Sequence, residues 1–150
     1  MSERASFEAD SIKPILYFHY AGLTNTGMLR DHNEDAYKLP VEADTEILAN
    51  KGHLYVLADG MGGHRKGEVA SAVTIETVNS AYYATVASLN EENQEDTIIE
   101  ALSNAIEEAN IEVMDATEGG GTTVVATVLH GDTLVTMNVG DSRAYLLRNN

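Results

Sequence analysis

The chain has 150 residues, enough for one domain with a buried core, and its 43% hydrophobic and 22% charged residues exclude wholesale disorder. Without cysteine it can form no disulfide scaffold, thiolate zinc site or cysteine nucleophile, and no apolar run approaches the ~20 residues that span a bilayer. Nine Lys and Arg against 24 Asp and Glu give a net charge of −15, with no Lys or Arg from 67 to 142; such a surface repels nucleic acid and anionic membranes and attracts cations.

Residues 1–14 read as a polar arm that lacks the apolar segment of a secretory signal. Residues 15–18 (Ile-Leu-Tyr-Phe) have strand composition and are expected to run on towards Leu23. A short strand is expected over 36–39, then an acidic loop over 42–52, then a compact buried strand over 54–58 that runs directly into Asp59 and Gly60. From about Gly67 the period changes. Val78, Ala81, Tyr82, Thr85, Val86 and Leu89 fall on one face of a helix. After a polar break, Thr97 and Glu100 have the spacing of a capping box, and Ile98, Leu102, Ala105, Ile106, Ala109 and Val113 line one face of a second helix. Its acidic residues are expected to face water, and the glycines at 119–121 end it. Residues 122–129 and 134–139 read as a hairpin about His130-Gly131-Asp132, and 143–148 as a further strand. Strands, then two helices, then strands predict an α+β fold on antiparallel sheet rather than alternating βαβ units.

Three segments could carry chemistry. Arg30-Asp31-His32-Asn33-Glu34-Asp35 sets a guanidinium four residues before two adjacent carboxylates. Such carboxylates repel each other unless a cation intervenes, hard cations favour oxygen ligands, and arginine matches the geometry of a phosphate. A solvated charged loop has the same composition. Ala58-Asp59-Gly60-Met61-Gly62-Gly63-His64 delivers a carboxylate at the carboxyl end of a buried strand, followed by glycines that let backbone carbonyls approach a ligand. A hairpin turn explains Asp59-Gly60 but not Gly62 and Gly63 as well, while a P-loop fails because Glu68 stands where lysine is required. Asn138-Val139-Gly140-Asp141-Ser142-Arg143 places another aspartate at a strand end, which alone reads as a turn with a surface ion pair. Taken together, acidic groups at strand ends beside glycine-rich backbone describe an oxygen-ligand metal site. A bare acidic cation buffer would leave Arg30 and the glycine spacing unused.

The stretches 27–36, 56–71, 121–123 and 138–145 resemble, in order, the signatures of metal-dependent type 2C protein serine/threonine phosphatases, and the Asp-Gly-Met-Gly-Gly-His run of 59–64 resembles the bacterial branch. The resemblance covers about residues 20–148 and little more than half of a complete catalytic domain. It implies an α-β-β-α sandwich of antiparallel sheets, of which 15–150 would be the N-terminal part without the later strands and helices. It implies two Mg²⁺ or Mn²⁺ ions bridged by Asp59, with the Gly60 carbonyl on one of them. Glu34 and Asp35 would hold metal-bound waters or contact a metal, Asp141 would serve a third ion, and Arg30 would bind the substrate phosphate. A hydroxide bridging the ions would hydrolyse phosphoserine or phosphothreonine in proteins, opposing serine/threonine kinases in a bacterial cytoplasm. Met61 stands where eukaryotic members often place a histidine, and His64 is not thereby its substitute. The family's later aspartates have no counterpart within these 150 residues, so these residues alone are expected to bind metal weakly and turn over poorly. A truncated pseudophosphatase acting as a phosphoprotein- or partner-binding module is the alternative. An open sheet edge would permit self-association.

Overall fold

A computed structural model describes residues 18–40, 44–61, 66–90 and 92–148. It contains four strands and three helices in the order β1 (Asp35–Lys38), α1 (Thr45–Lys51), β2 (His53–Asp59), α2 (Gly67–Thr85), α3 (Gln94–Thr117), β3 (Val124–His130) and β4 (Thr133–Val139). The strands form one antiparallel sheet in the order β1-β2-β3-β4, so the α+β class with antiparallel pairing holds. Register follows the side-chain alternation: Leu54 pairs with Val128 and Val56 with Ala126, and these four are buried on one face. Against that face lie α2 and α3, which also pack against each other. Ala70, Ser71 and Thr74 of α2 and Ala101, Ala105 and Ala109 of α3 are all buried, and small side chains let two helices approach closely. Ile98, Leu102, Val78 and Tyr82 fill the rest of the core.

The opposite face of the sheet is partly open. Tyr37 and Leu57 are 36% and 46% exposed there. One helix layer on one sheet is thus present among the described residues, which is one half of the expected sandwich.

Four expectations need correction. The acidic loop over 42–52 contains α1. Asp44 caps it by accepting from the Glu46 N–H, and Gly52 ends it at φ 81°, donating to the Leu48 carbonyl. The α2 helix stops at Thr85, so Val86 and Leu89 are buried from the following connection rather than from the helix. The α3 helix begins at Gln94, a turn before the predicted capping box, because the Asn90 side chain accepts from the N–H groups of Glu92 and Asn93 and so starts the chain turning earlier. Residues 18–23 and 143–148 form no strand. The first segment lies over the sheet by its side chains, with Phe18 edge-on to His53 at 4.8 Å and Tyr20 edge-on to Tyr55 at 5.8 Å. The second leaves the sheet at Gly140, whose φ of 104° turns the chain away from β3, and Tyr145, Leu146 and Leu147 are exposed. Residues 15–17 and the motif residues 62–65 lie outside the described residues.

Tyrosines at the end of α2 pin α1 in place. The Tyr82 hydroxyl donates to the Lys51 carbonyl at 2.7 Å, and the Tyr83 hydroxyl donates to the Gly52 carbonyl at 3.2 Å. Tyr82 is fully buried, and burial pushes its phenol well above the ordinary range, so it remains a neutral donor. Tyr82→Phe keeps the ring but strips the Lys51 carbonyl of this donor. A loss of about 1 kcal/mol is expected, read as a lower midpoint in urea unfolding with an unchanged slope.

Candidate active site

The chemistry-bearing residues gather at one end of the sheet. Asp59 is the last residue of β2 and Asp35 the first of β1, and the register sets them directly opposite each other on the open face. The buried alternation of β2 dictates this: Leu54, Val56 and Ala58 face the helices, so Asp59 must face the other way. Asp59 is exposed overall, and partial desolvation at the strand end is the first cause that raises its carboxyl above its ordinary range. Asp35, which also shares a hydrogen bond with it, Asp141 and Glu34 raise it further. Asp59 and Asp35 are thus a carboxylate pair held by strand register, with Glu34 adjacent to Asp35 in the chain.

Gly60 forms the floor of this cluster. Its N–H donates to the Glu34 carbonyl at 3.0 Å, and it pairs with Thr122 in an isolated antiparallel bridge flanked by Met61 N–H to Gly121 carbonyl and Thr123 N–H to Asp59 carbonyl, both 2.9 Å. In this pattern the Gly60 carbonyl receives no hydrogen bond among the described residues. No side chain other than hydrogen would fit. A Cβ on Gly60 would stand 2.2 Å from the Gly67 carbonyl oxygen and 2.8 Å from that of Glu34.

Arg30 lies at the edge. Its Nη1 donates to Glu34 Oε2 at 2.9 Å, while the guanidinium is largely exposed and the Glu34 carboxylate mostly covered. The other oxygen of Glu34 faces His32 Nε2 at 3.7 Å, and His32 in turn faces Glu68 Oε2 at 3.5 Å. These three residues hold potential ligand atoms within 4.8 Å of one another. His32 and Glu68 are not legible as site residues in the sequence. Both lie inside quoted motifs, but nothing in their spacing shows that the first turn of α2 returns to residue 34. Asp141 is exposed, on the turn that follows β4. Met61 is half exposed, and its methyl group lies against Gly121.

The donor set suits a hard divalent cation. It consists of carboxylates and the Gly60 carbonyl with no sulfur ligand, and the raised Asp59 carboxyl resists ionising there, which a cation would relieve. Among the described residues no helix is long and apolar enough to cross a membrane.

Residues 30–150 match the family model described as protein phosphatase 2C. The chain is 37% identical over 134 residues to the serine/threonine phosphatase stp of Listeria monocytogenes, covering 84% of the chain and 48% of the relative. It is 35% identical over 139 residues to the serine/threonine protein phosphatase PstP of Mycobacterium tuberculosis, covering 89% of the chain and 23% of that protein. Among solved structures, the serine/threonine phosphatase Stp1 of Staphylococcus aureus superposes with a TM-score of 0.66 at 36% identity, over 84% of the chain and 48% of that structure. The chain spans about half the length of the Listeria and Staphylococcus relatives it matches. On its matched motifs, on the superposition, and on the arrangement of acidic groups about Gly60, this chain belongs to the protein phosphatase 2C family.

Proposed function

We propose that the protein hydrolyses phosphoserine and phosphothreonine in other proteins, using divalent cations held by Asp59, the Gly60 carbonyl, Glu34, Asp35 and Asp141. The observation that carries this reading is the pairing of Asp59 with Asp35 across adjacent strand ends, beside Glu34 and its Arg30 partner. Mg²⁺ or Mn²⁺ bound there would supply an activated water and offset charge on the phosphoryl oxygens. The chain's own residues do the rest. Asp59 and Asp35 present oxygens from adjacent strands, and the rigid pairing of β1 with β2 fixes their separation. Glu34 is held by Arg30 on one side. Arg30 keeps an exposed guanidinium that can grip a phosphate bidentately and orient it towards the cluster. The relatives named as serine/threonine phosphatases support the substrate class, and serine/threonine kinases in the cytoplasm are the opposing enzymes in this reading. Residues 15–150 would form the N-terminal part of the catalytic domain, and the open sheet face is where its remainder would pack. Nothing observed favours a non-catalytic binding module.

The test is hydrolysis of a phosphothreonine peptide by the full-length protein with Mn²⁺ and with EDTA. Mn²⁺-dependent turnover is expected, and its absence would refute the proposal. Within that assay, Arg30→Ala should raise KM about tenfold, the cost of one charge-assisted phosphate contact, and change kcat less. An unchanged KM would remove Arg30 from substrate binding.

A further inference from the structure

Thr123 stands just before β3, where the sheet reaches the acidic cluster. It holds both backbone polar groups of Asp59. Its N–H donates to the Asp59 carbonyl at 2.9 Å, and its Oγ1 accepts from the Asp59 N–H at 3.1 Å. Since Oγ1 accepts there, its own hydrogen is left to donate, and Ser142 Oγ lies 2.7 Å away. Ser142 directly follows Asp141. The same turn is closed from the other side by the Asn138 side chain, which donates to the Ser142 carbonyl. The turn also wraps closely around Thr123. A Cβ on Gly140 would meet Thr123 Cγ2 at 2.8 Å, and the φ of 104° at Gly140 is one that glycine adopts without strain. Thr123 itself is buried. One hydroxyl thus bridges the strand end that carries Asp59 and the turn that carries Asp141, two carboxylates separated by more than half the chain.

We infer that Thr123 is a positioning residue that, through its hydroxyl pair with Ser142, fixes the Asp141 turn against the end of β2 and so sets the spacing of the Asp59 and Asp141 carboxylates for cation binding. This rests on the metal-dependent reading given above. A valine in its place would fill the same volume and keep the β-branched shape, but would release both the Asp59 N–H and the Ser142 hydroxyl. Neither Thr123 nor Ser142 needs to touch a cation for this effect.

The test measures Mn²⁺ binding to the full-length protein by the electron paramagnetic resonance signal of the free ion, for wild type, Thr123→Val, Thr123→Ser, Ser142→Ala and Asp141→Asn. Thr123→Val and Ser142→Ala should each weaken binding about tenfold, the scale of one buried hydrogen bond that orders a ligand, whereas Thr123→Ser should stay within about twofold of wild type. In the Asp141→Asn background Ser142→Ala should add no further loss, because the clasp acts through Asp141. Ser142 lies outside the sheet, so its variant keeps the test decisive if the valine protein fails to fold. Wild-type affinity in Ser142→Ala, or an equal loss with and without Asp141, overturns the inference while leaving the phosphatase reading intact. A wild-type protein that binds no Mn²⁺ overturns both.

Discussion

Asp59→Asn is expected to lower Mn²⁺-dependent hydrolysis by at least about a hundredfold, since losses of ten- to a hundredfold already follow when only an outer partner of a metal ligand is removed. The substitution is isosteric, and the two hydrogen bonds that Thr123 makes to residue 59 use its main chain alone, so the strand end stays in place. What is lost is one anionic oxygen donor at the centre of the cluster.

The same variant should be more thermally stable than wild type when metal is removed. Partial desolvation, then Asp35, Asp141 and Glu34, hold the Asp59 carboxyl above its ordinary range in the folded protein. The folded state therefore keeps that proton more tightly than the unfolded chain does. Stability falls as pH rises from the ordinary carboxylate range through the raised value, and the penalty persists above it. Asparagine carries no charge and avoids the penalty. Calorimetry in EDTA should give Asp59→Asn the higher midpoint at neutral pH, with the gap closing as pH falls below the ordinary carboxylate range. Added Mn²⁺ should reverse the order, because it binds the folded wild type more tightly. Full activity in the Asp59→Asn protein would overturn the role assigned to Asp59. A midpoint below wild type in EDTA would show that the carboxylates do not repel as argued.

The sheet was legible because its strands carry their own partners in sequence. The β-branched run of β3 is followed after a glycine turn by β4, and the alternation of β2 forces its register. The stripe of α3 was legible over a little more than four turns of periodic apolar residues. The α1 helix was missed because seven residues give too little periodicity to detect, although Asp44, Glu46 and Gly52 supplied start and stop signals. Residues 143–148 have strand composition, but composition cannot say whether an edge is offered to them. At the acidic cluster, each aspartate could be picked out by its place after a strand. That Asp35 stands opposite Asp59 is a matter of register, and no spacing reveals it. The packing beneath was less legible still. Thr123 reads as one more β-branched residue at a strand start, and Gly67 as a helix beginning, until the long-range contacts are seen.

Among the glycines described, Gly60→Ala should be the most damaging substitution of a single hydrogen by a methyl group, costing about 3 kcal/mol and roughly 6–12 °C in melting temperature. The new Cβ would stand 2.2 Å from the Gly67 carbonyl oxygen, 2.5 Å from its carbon and 2.8 Å from the Glu34 carbonyl oxygen. All three are main-chain atoms, so no rotamer change relieves the clash. Either the first turn of α2 moves outward and breaks its contact with the sheet, or the Glu34 strand end moves and loses the Gly60 N–H bond. Both routes displace groups of the acidic cluster, so Mn²⁺ affinity should fall with stability. Two glycines serve as controls. At Gly67 an added Cβ would stand 3.1 Å from a Glu34 carboxylate oxygen and 3.2 Å from the Met61 carbonyl oxygen, close contacts without the overlap met at Gly60, so Gly67→Ala should disturb cation binding more than folding. At Gly131 an added Cβ meets nothing within 4 Å, and only the strain of its φ of 58° opposes alanine, about 1 kcal/mol. If Gly60→Ala melts no lower than Gly131→Ala, the close approach of α2 to the Asp59 strand end is not what holds this corner together.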